Sequence, residues 1–285
     1  MFVVLTTGSF YPFALAFRSL GWTSQFTGWC VLLAAGLIGS FLMTRFVNHK
    51  PFAAIGFNLH AGMFREAGIG ILLGVLMMSG IFAVEYLLGA VEIHLVEASW
   101  TGMVWIVVSS MALFGVQSLA EEVLFRGYLF QSLIQGMSFL PAMLAMAALF
   151  AAGHAWNPNV SAPAMINIAL ASVWLSFAYM HTRGLWLPFG LHFAWNFSQT
   201  TLFGFHTSGG AFPGYSLMTN VQEGPGWLTG GAFGPEGGVL ATLALLVSTA
   251  YILKARYLRA PEGIITLDSV EDLLPPANGD GQEEP

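Results

Sequence analysis

Apolar residues run along this chain in long blocks, not in the one-sided 3.6-residue stripes of a helix that packs on a soluble core. Blocks near 27–45, 67–89, 141–156, 163–182, 185–204 and 237–255 have the scale of membrane-crossing segments, for which about 20 apolar residues suffice. A seventh block, near 102–133, is longer. It starts TGMVWIVVSSMALFGV and continues into EEVLFRGYLFQSLI, so a charged cluster lies within a helical run. The first seventeen residues are apolar but interrupted by Gly8 and Pro12; they read as an eighth span or a surface segment. Ala14-Leu15-Ala16 imitates a signal-peptide cleavage site, but no basic region precedes it, so the segment is kept in the mature chain.

Composition agrees with the pattern. Of the 285 residues 56% are hydrophobic and 8% charged, with mean hydropathy +0.70, against about 25% charged in a soluble domain. The expected fold class is all-α: a polytopic membrane bundle of about seven to eight transmembrane helices spanning 1–259. A net charge of -6 with no basic stripe excludes nucleic acid as a partner and leaves the lipid bilayer. Cys30 is the single cysteine, so any metal would need His, Glu or Asn ligands.

Charge also orients the bundle. Arg45, Lys50 and Arg65 share one loop, Arg183 sits in a second, and Lys254, Arg256 and Arg259 follow the last block; these ends are expected to be cytoplasmic, with Arg18 the exception. The opposite face carries Glu92, His94 and Glu97 and a Gly-rich loop at about 205–236, which holds Glu223 and Glu236 but no Lys or Arg. Trp100, Trp105, Trp156 and Trp227 suit an interfacial belt there. Residues 260–285 read as a disordered acidic cytoplasmic tail, and the protein as a multi-pass integral membrane protein, in the cell membrane if the source is bacterial. Gly70 and Gly74 form a GxxxG suited to close helix packing. TGGAFGPEGG lacks the Lys-Ser/Thr ending of a phosphate loop and reads as packing or a lid.

Ionisable groups at membrane depth cost about 2.5–3.5 kcal/mol each on insertion scales, so those that occur are candidates for function. Glu122 and Arg126 are four apart and can pair on one helix face, a structural ion pair. Glu121 is turned about 100° away and is left without a local cation. His154 follows Phe150 by four residues, and Asn196 follows His192 by four, so Phe150 can wall His154 and Asn196 can share a cavity with His192. Counting helical rise from a hairpin at 133–140 brings Glu121 and His154 to similar depth but leaves His192 ~8–10 Å shallower, unless Pro188 or the Arg183-Gly184 end shifts the register. Glu85 lies near a span end and is expected to snorkel; His49, His60, His94, His181 and His206 are expected to be solvated.

In this order, EEVLFRGYLF, FAAGH and LHFAWNF, with the linking HTRGLWLPFGLHFAWN, resemble the motifs of the CPBP family of intramembrane proteases, which groups CAAX prenyl endopeptidases with bacteriocin-processing Abi proteins. The resemblance covers about 115–200 and implies a catalytic core there. It also implies about eight helices around a cavity. By resemblance, Glu121 activates water, His154 joins it, and His192 with Asn196 binds the substrate carbonyl or its oxyanion, with Glu122 and Arg126 filling the rest of the first motif. Peptide hydrolysis needs an activated water, an electrophile stabiliser and a proton donor, which a partly desolvated Glu beside a neutral His can supply. Members are usually labelled metalloproteases, and Glu121, His154 and His192 would give a divalent metal such as Zn2+ three ligands. With no H-E-x-x-H present, a metal-free site fits the inventory equally well and is slightly preferred, so no cofactor is required. The expected activity is endopeptidase cleavage of membrane-associated or prenylated, CAAX-type substrates. The alternatives are a transporter or proton relay using the same buried groups, and a non-catalytic scaffold.

Overall fold

The computed structural model describes residues 24–260 and 263–267. Seven helical segments make up the bundle: α1 (Ser24–Phe46), α2 (Met63–Leu87), α3 (Trp100–Glu122) running into α4 (Tyr128–Met137), α5 (Phe139–His154), α6 (Ala162–Thr182), α7 (Trp186–Phe197) and α8 (Val239–Lys254). Every apolar block expected from the sequence is helical. Among the described residues, Gln25–Phe46, Met63–Leu87, Trp100–Met137 and Ala162–Thr182 are long and apolar enough to cross a membrane, and Phe139–His154 and Val239–Lys254 are shorter apolar helices. These lengths and compositions fit an all-α membrane helix bundle, in which four of the described helices reach spanning length on their own. Large apolar side chains stay exposed on its outside, among them Leu72, Leu76, Val108, Leu144 and Val247, as a lipid-facing surface requires.

The fold is not wholly α. β1 (Val91–Leu95) pairs antiparallel with β2 (Met218–Gln222), joining the loop after α2 to the Gly-rich segment. This sheet and the exposed Trp100, Trp105, Trp156 and Trp227 mark one end of the bundle. The basic segments meet at the other: Arg65 donates to the Tyr257 carbonyl (2.9 Å), Leu185 N–H to Gly56 (3.0 Å) and Ala260 N–H to His181 (3.0 Å). Residues 263–267 lie against this end, with Asn58 bracketing Ile265 through both its N–H (3.2 Å) and its carbonyl (2.7 Å). The possible first span, Arg18 and the rest of the tail lie outside the described residues.

Two features position the site. First, α2 and α7 touch backbone to backbone: a Cβ on Gly74 would fall 2.8 Å from the Leu191 carbonyl oxygen, and one on Gly190 2.3 Å from that of Ala67. The GxxxG of α2 is therefore a packing surface, and it is α7 that it holds. Second, the run Trp100–Met137 would be about 57 Å long if straight, nearly twice a hydrocarbon core of about 30 Å. It leaves helical geometry at Gly127 (ψ -122), the last residue of a π-helical turn, Val123–Gly127.

The break at Gly127 removes the depth mismatch expected for His192. A Cβ on Gly127 would lie 3.9 Å from the Ile55 carbonyl oxygen, while Leu185, just before α7, bonds to Gly56. Both elements thus start from one floor, the turn after Phe52–Ile55. Glu121 lies six residues before Gly127 and His192 six residues after Trp186, so each stands ~9 Å above that floor.

Candidate active site

The last turn of α3 delivers Glu121 and Glu122, and the π turn delivers Arg126. Glu122 and Arg126 are fully buried and paired at 3.2 Å. The second guanidinium nitrogen donates to the Ser172 carbonyl (3.1 Å) and Oγ (2.9 Å), and the cation sits 5.1 Å from the Phe150 ring centroid. Such a pair offsets the cost of burying either charge more fully when its other hydrogen bonds are made; Ser172 satisfies the second terminal nitrogen of Arg126, while Arg126 Nε and Glu122 Oε2 have no partner among the described residues.

Glu122 has a second task that the sequence did not disclose. Its Oε1 also lies 2.7 Å from His192 Nδ1. A carboxylate that already accepts from Arg126 can only accept again, so Nδ1 carries the proton and Nε2 is turned toward Glu121, 3.7 Å from its Oε2. Glu121 is 5% exposed and that Oε2 has no hydrogen-bond partner. His154, half-buried at the end of α5, donates from Nδ1 to the Phe150 carbonyl at 2.8 Å, which leaves its Nε2 lone pair free. The Phe150 ring lies between both imidazoles, tilted against His154 with centroids 4.6 Å apart and edge-on to His192 at 6.4 Å. Asn196 is buried beside them, and its amide has no partner among the described residues.

Glu121, His154, His192 and Asn196 line one small cavity of about 40 Å³. A wider vestibule of about 400 Å³ adjoins it, walled by Gln25, Trp29 and Leu32 of α1, by Phe125 and by Phe212. Gln117, Glu121, His154 and Ser208 line both spaces and so form the throat between them. Among the described residues, no three His, Cys, Asp or Glu side chains are grouped so as to hold a metal ion. Glu121, His154 and His192 share the cavity wall without forming a ligand set.

Sequence reasoning missed several polar residues of this cavity, among them Glu236, Gln117 and Asn167. Glu236, assigned to an outward loop, is buried: its Oε1 accepts from Trp195 Nε1 (3.1 Å) and its Oε2 from the Ser208 N–H, which ties the Gly-rich loop over the cavity. Nothing in its local sequence signals this. Gln117 could have been found, because it precedes Glu121 by four residues and so shares its helix face. It is 8% exposed and its Oε1 has no partner, an omission that costs about 1–3 kcal/mol in a folded protein. Two expectations fail elsewhere. Glu85 is fully buried, with neither carboxylate oxygen hydrogen-bonded, so it lies on the inward face of α2 and does not snorkel to the helix end. His181 is half-buried and bonds through Nε2 to the Ala255 carbonyl at 2.9 Å, since the segment after α8 packs back on α6.

The matched region of the chain coincides with these elements. The family model of type II CAAX prenyl endopeptidases, Rce1-like, matches residues 99–198, from the cap of α3 to the end of α7. The resemblance is to the Rce1-like endopeptidases. The Rce1-like segment contains Glu121, Glu122, Arg126, His154, His192 and Asn196, and it leaves out α1, α2, the Gly-rich loop and α8. An uncharacterised protein of Bacillus subtilis (strain 168), YyaK, is 23% identical over 159 residues, covering 55% of this chain and 50% of that protein. The chain thus spans about half the length of this curated relative. No solved structure matches.

Proposed function

We propose that the chain is a membrane-embedded endopeptidase that hydrolyses peptide bonds of membrane-associated substrates with a Glu121-activated water. One observation carries this reading: four side chains with uncommitted polar atoms, from α3, α5 and α7, converge on one cavity within the Rce1-like segment. Glu121 takes a proton from water as the water oxygen attacks the scissile carbonyl carbon. The lone pair on His154 Nε2 accepts a hydrogen bond from the same water and orients it. Negative charge then develops on the carbonyl oxygen, where the Asn196 amide and the Nε2–H of doubly protonated His192 donate to it. The proton held by Glu121 passes to the leaving nitrogen as the C–N bond breaks.

Glu122 takes no proton in this scheme. It fixes the His192 ring, and Arg126 holds Glu122 in place. The vestibule exposes more apolar than polar surface, with Trp29, Leu32, Phe125 and Phe212 among its walls, which suits a substrate segment arriving from lipid, including prenylated, CAAX-type peptides. The test is hydrolysis of quenched, membrane-anchored peptides by the purified protein, with Glu121→Gln as the blank. Cleavage that persists in Glu121→Gln would remove the proposal.

A further inference from the structure

The cavity's polar lining divides into groups that are committed and groups that are not. Asn167 donates to the carbonyls of Glu236 (2.8 Å) and Gly238 (2.9 Å) and accepts from Thr242 (2.6 Å). Glu236 accepts from Trp195 and Ser208. These two hold the wall together. Gln117 and Asn196 hold nothing: both are buried, and neither amide has a partner among the described residues. Asn196 already has a place in the proposed chemistry; Gln117 does not.

Gln117 stands at the throat four residues, about 6 Å of helical rise, from Glu121. Any chain reaching the cavity from the vestibule passes it. A primary amide presents a donor and an acceptor side by side, which matches the N–H and C=O of one residue in an extended peptide. The same fold uses that match elsewhere, where Asn58 brackets Ile265 by both backbone groups. We propose that Gln117 is a positioning residue that binds the backbone of an extended substrate peptide and so presents its scissile carbonyl to Glu121. The ligand class rests on the endopeptidase reading; the unpartnered amide in the throat does not. Recognition of this kind ignores side-chain identity and discriminates on the backbone alone.

The experiment is a backbone N-methyl scan. A cleaved, membrane-anchored peptide is methylated in turn at each amide within four residues of the scissile bond, and kcat and KM are measured for the wild type and for Gln117→Leu, with Gln117→Met as a second variant of closer shape. At one position methylation should lower wild-type kcat/KM roughly 5- to 10-fold, the size of one neutral hydrogen bond, chiefly through KM. The variants should cleave the parent peptide that much less well and lose nothing further at that position. Penalties that are the same in wild type and variants at every position would overturn the proposal, as would an unchanged kcat/KM in both variants. If the wild type cleaves no peptide, the endopeptidase reading fails by itself, and binding of the same scan decides for Gln117. A single sensitive position lost in the variants supports it, and uniform binding refutes it.

Discussion

Glu122 Oε1 accepts hydrogen bonds from both Arg126 Nη1 at 3.2 Å and His192 Nδ1 at 2.7 Å, so one buried oxygen joins α3, the π turn and α7. Neighbouring Glu121 makes no hydrogen bond through Oε2. Two adjacent carboxylates therefore differ in kind: one is a structural hub and the other is free to react.

Substitution should separate them. Glu122→Gln leaves the Arg126 charge without its counter-charge at a fully buried position, and it should lower stability by roughly 3 kcal/mol as well as turnover. Glu121→Gln should leave the melting temperature within a degree or two of wild type and reduce hydrolysis by at least about 10³-fold. Thermal unfolding in detergent, paired with peptide cleavage, measures both. Equal melting temperatures for the two variants would refute the division of roles.

The histidines and Asn196 make a second test. If Asn196 and His192 act as oxyanion donors, Asn196→Ala and His192→Ala should each lower turnover roughly 10²- to 10³-fold, and His154→Ala should cost more because it removes a contact to the attacking water. A zinc site built from Glu121, His154 and His192 expects another pattern: complete loss for both histidines and stoichiometric metal in the purified protein. Metal analysis before and after chelation, alongside the three variants, distinguishes these outcomes.

The glycines that seat α7 give a prediction about stability alone. Gly190→Ala should be severely destabilising, by about 3 kcal/mol or more, because its Cβ would overlap the Ala67 carbonyl of α2 and backbone cannot yield as a side chain can. Gly68→Ala lies on the same helix as Gly70 and Gly74 but meets nothing within 4 Å, so it should be neutral or slightly stabilising. Comparable losses at both positions would mean that α2 and α7 do not pack as described.

Much of the site was legible because its signals are local. Glu122 with Arg126, and Phe150 with His154, are spaced by four residues within one helical run, and a helix converts that spacing directly into contact. The Glu122–His192 bond was not legible, since it joins residues 70 apart through the bend at Gly127. Helical rise gives depth only along a straight helix, and the bend broke that count. Glu236 was hidden for a related reason: its loop is short of regular structure, so no period links it to Trp195. The pairing of β1 with β2 likewise depends on two segments more than 120 residues apart, Val91 with Gln222, neither of which reads as a strand beside such apolar neighbours.

Orientation is the last prediction. Seven of the nine Lys and Arg residues, all but Arg18 and Arg126, lie in segments that the fold gathers at one end, opposite the sheet and the exposed tryptophans. Translocating Lys or Arg is unfavourable whatever the protein does, so this end should face the cytosol even if the protease reading fails. Leu59 and Leu95 suit the test, being 78% and 77% exposed at opposite ends of α2. In a Cys30→Ser background, single cysteines are placed at each and treated with a membrane-impermeant thiol reagent in intact cells. Leu95→Cys should label at once and Leu59→Cys only after the cells are opened; the reverse order would invert the bundle.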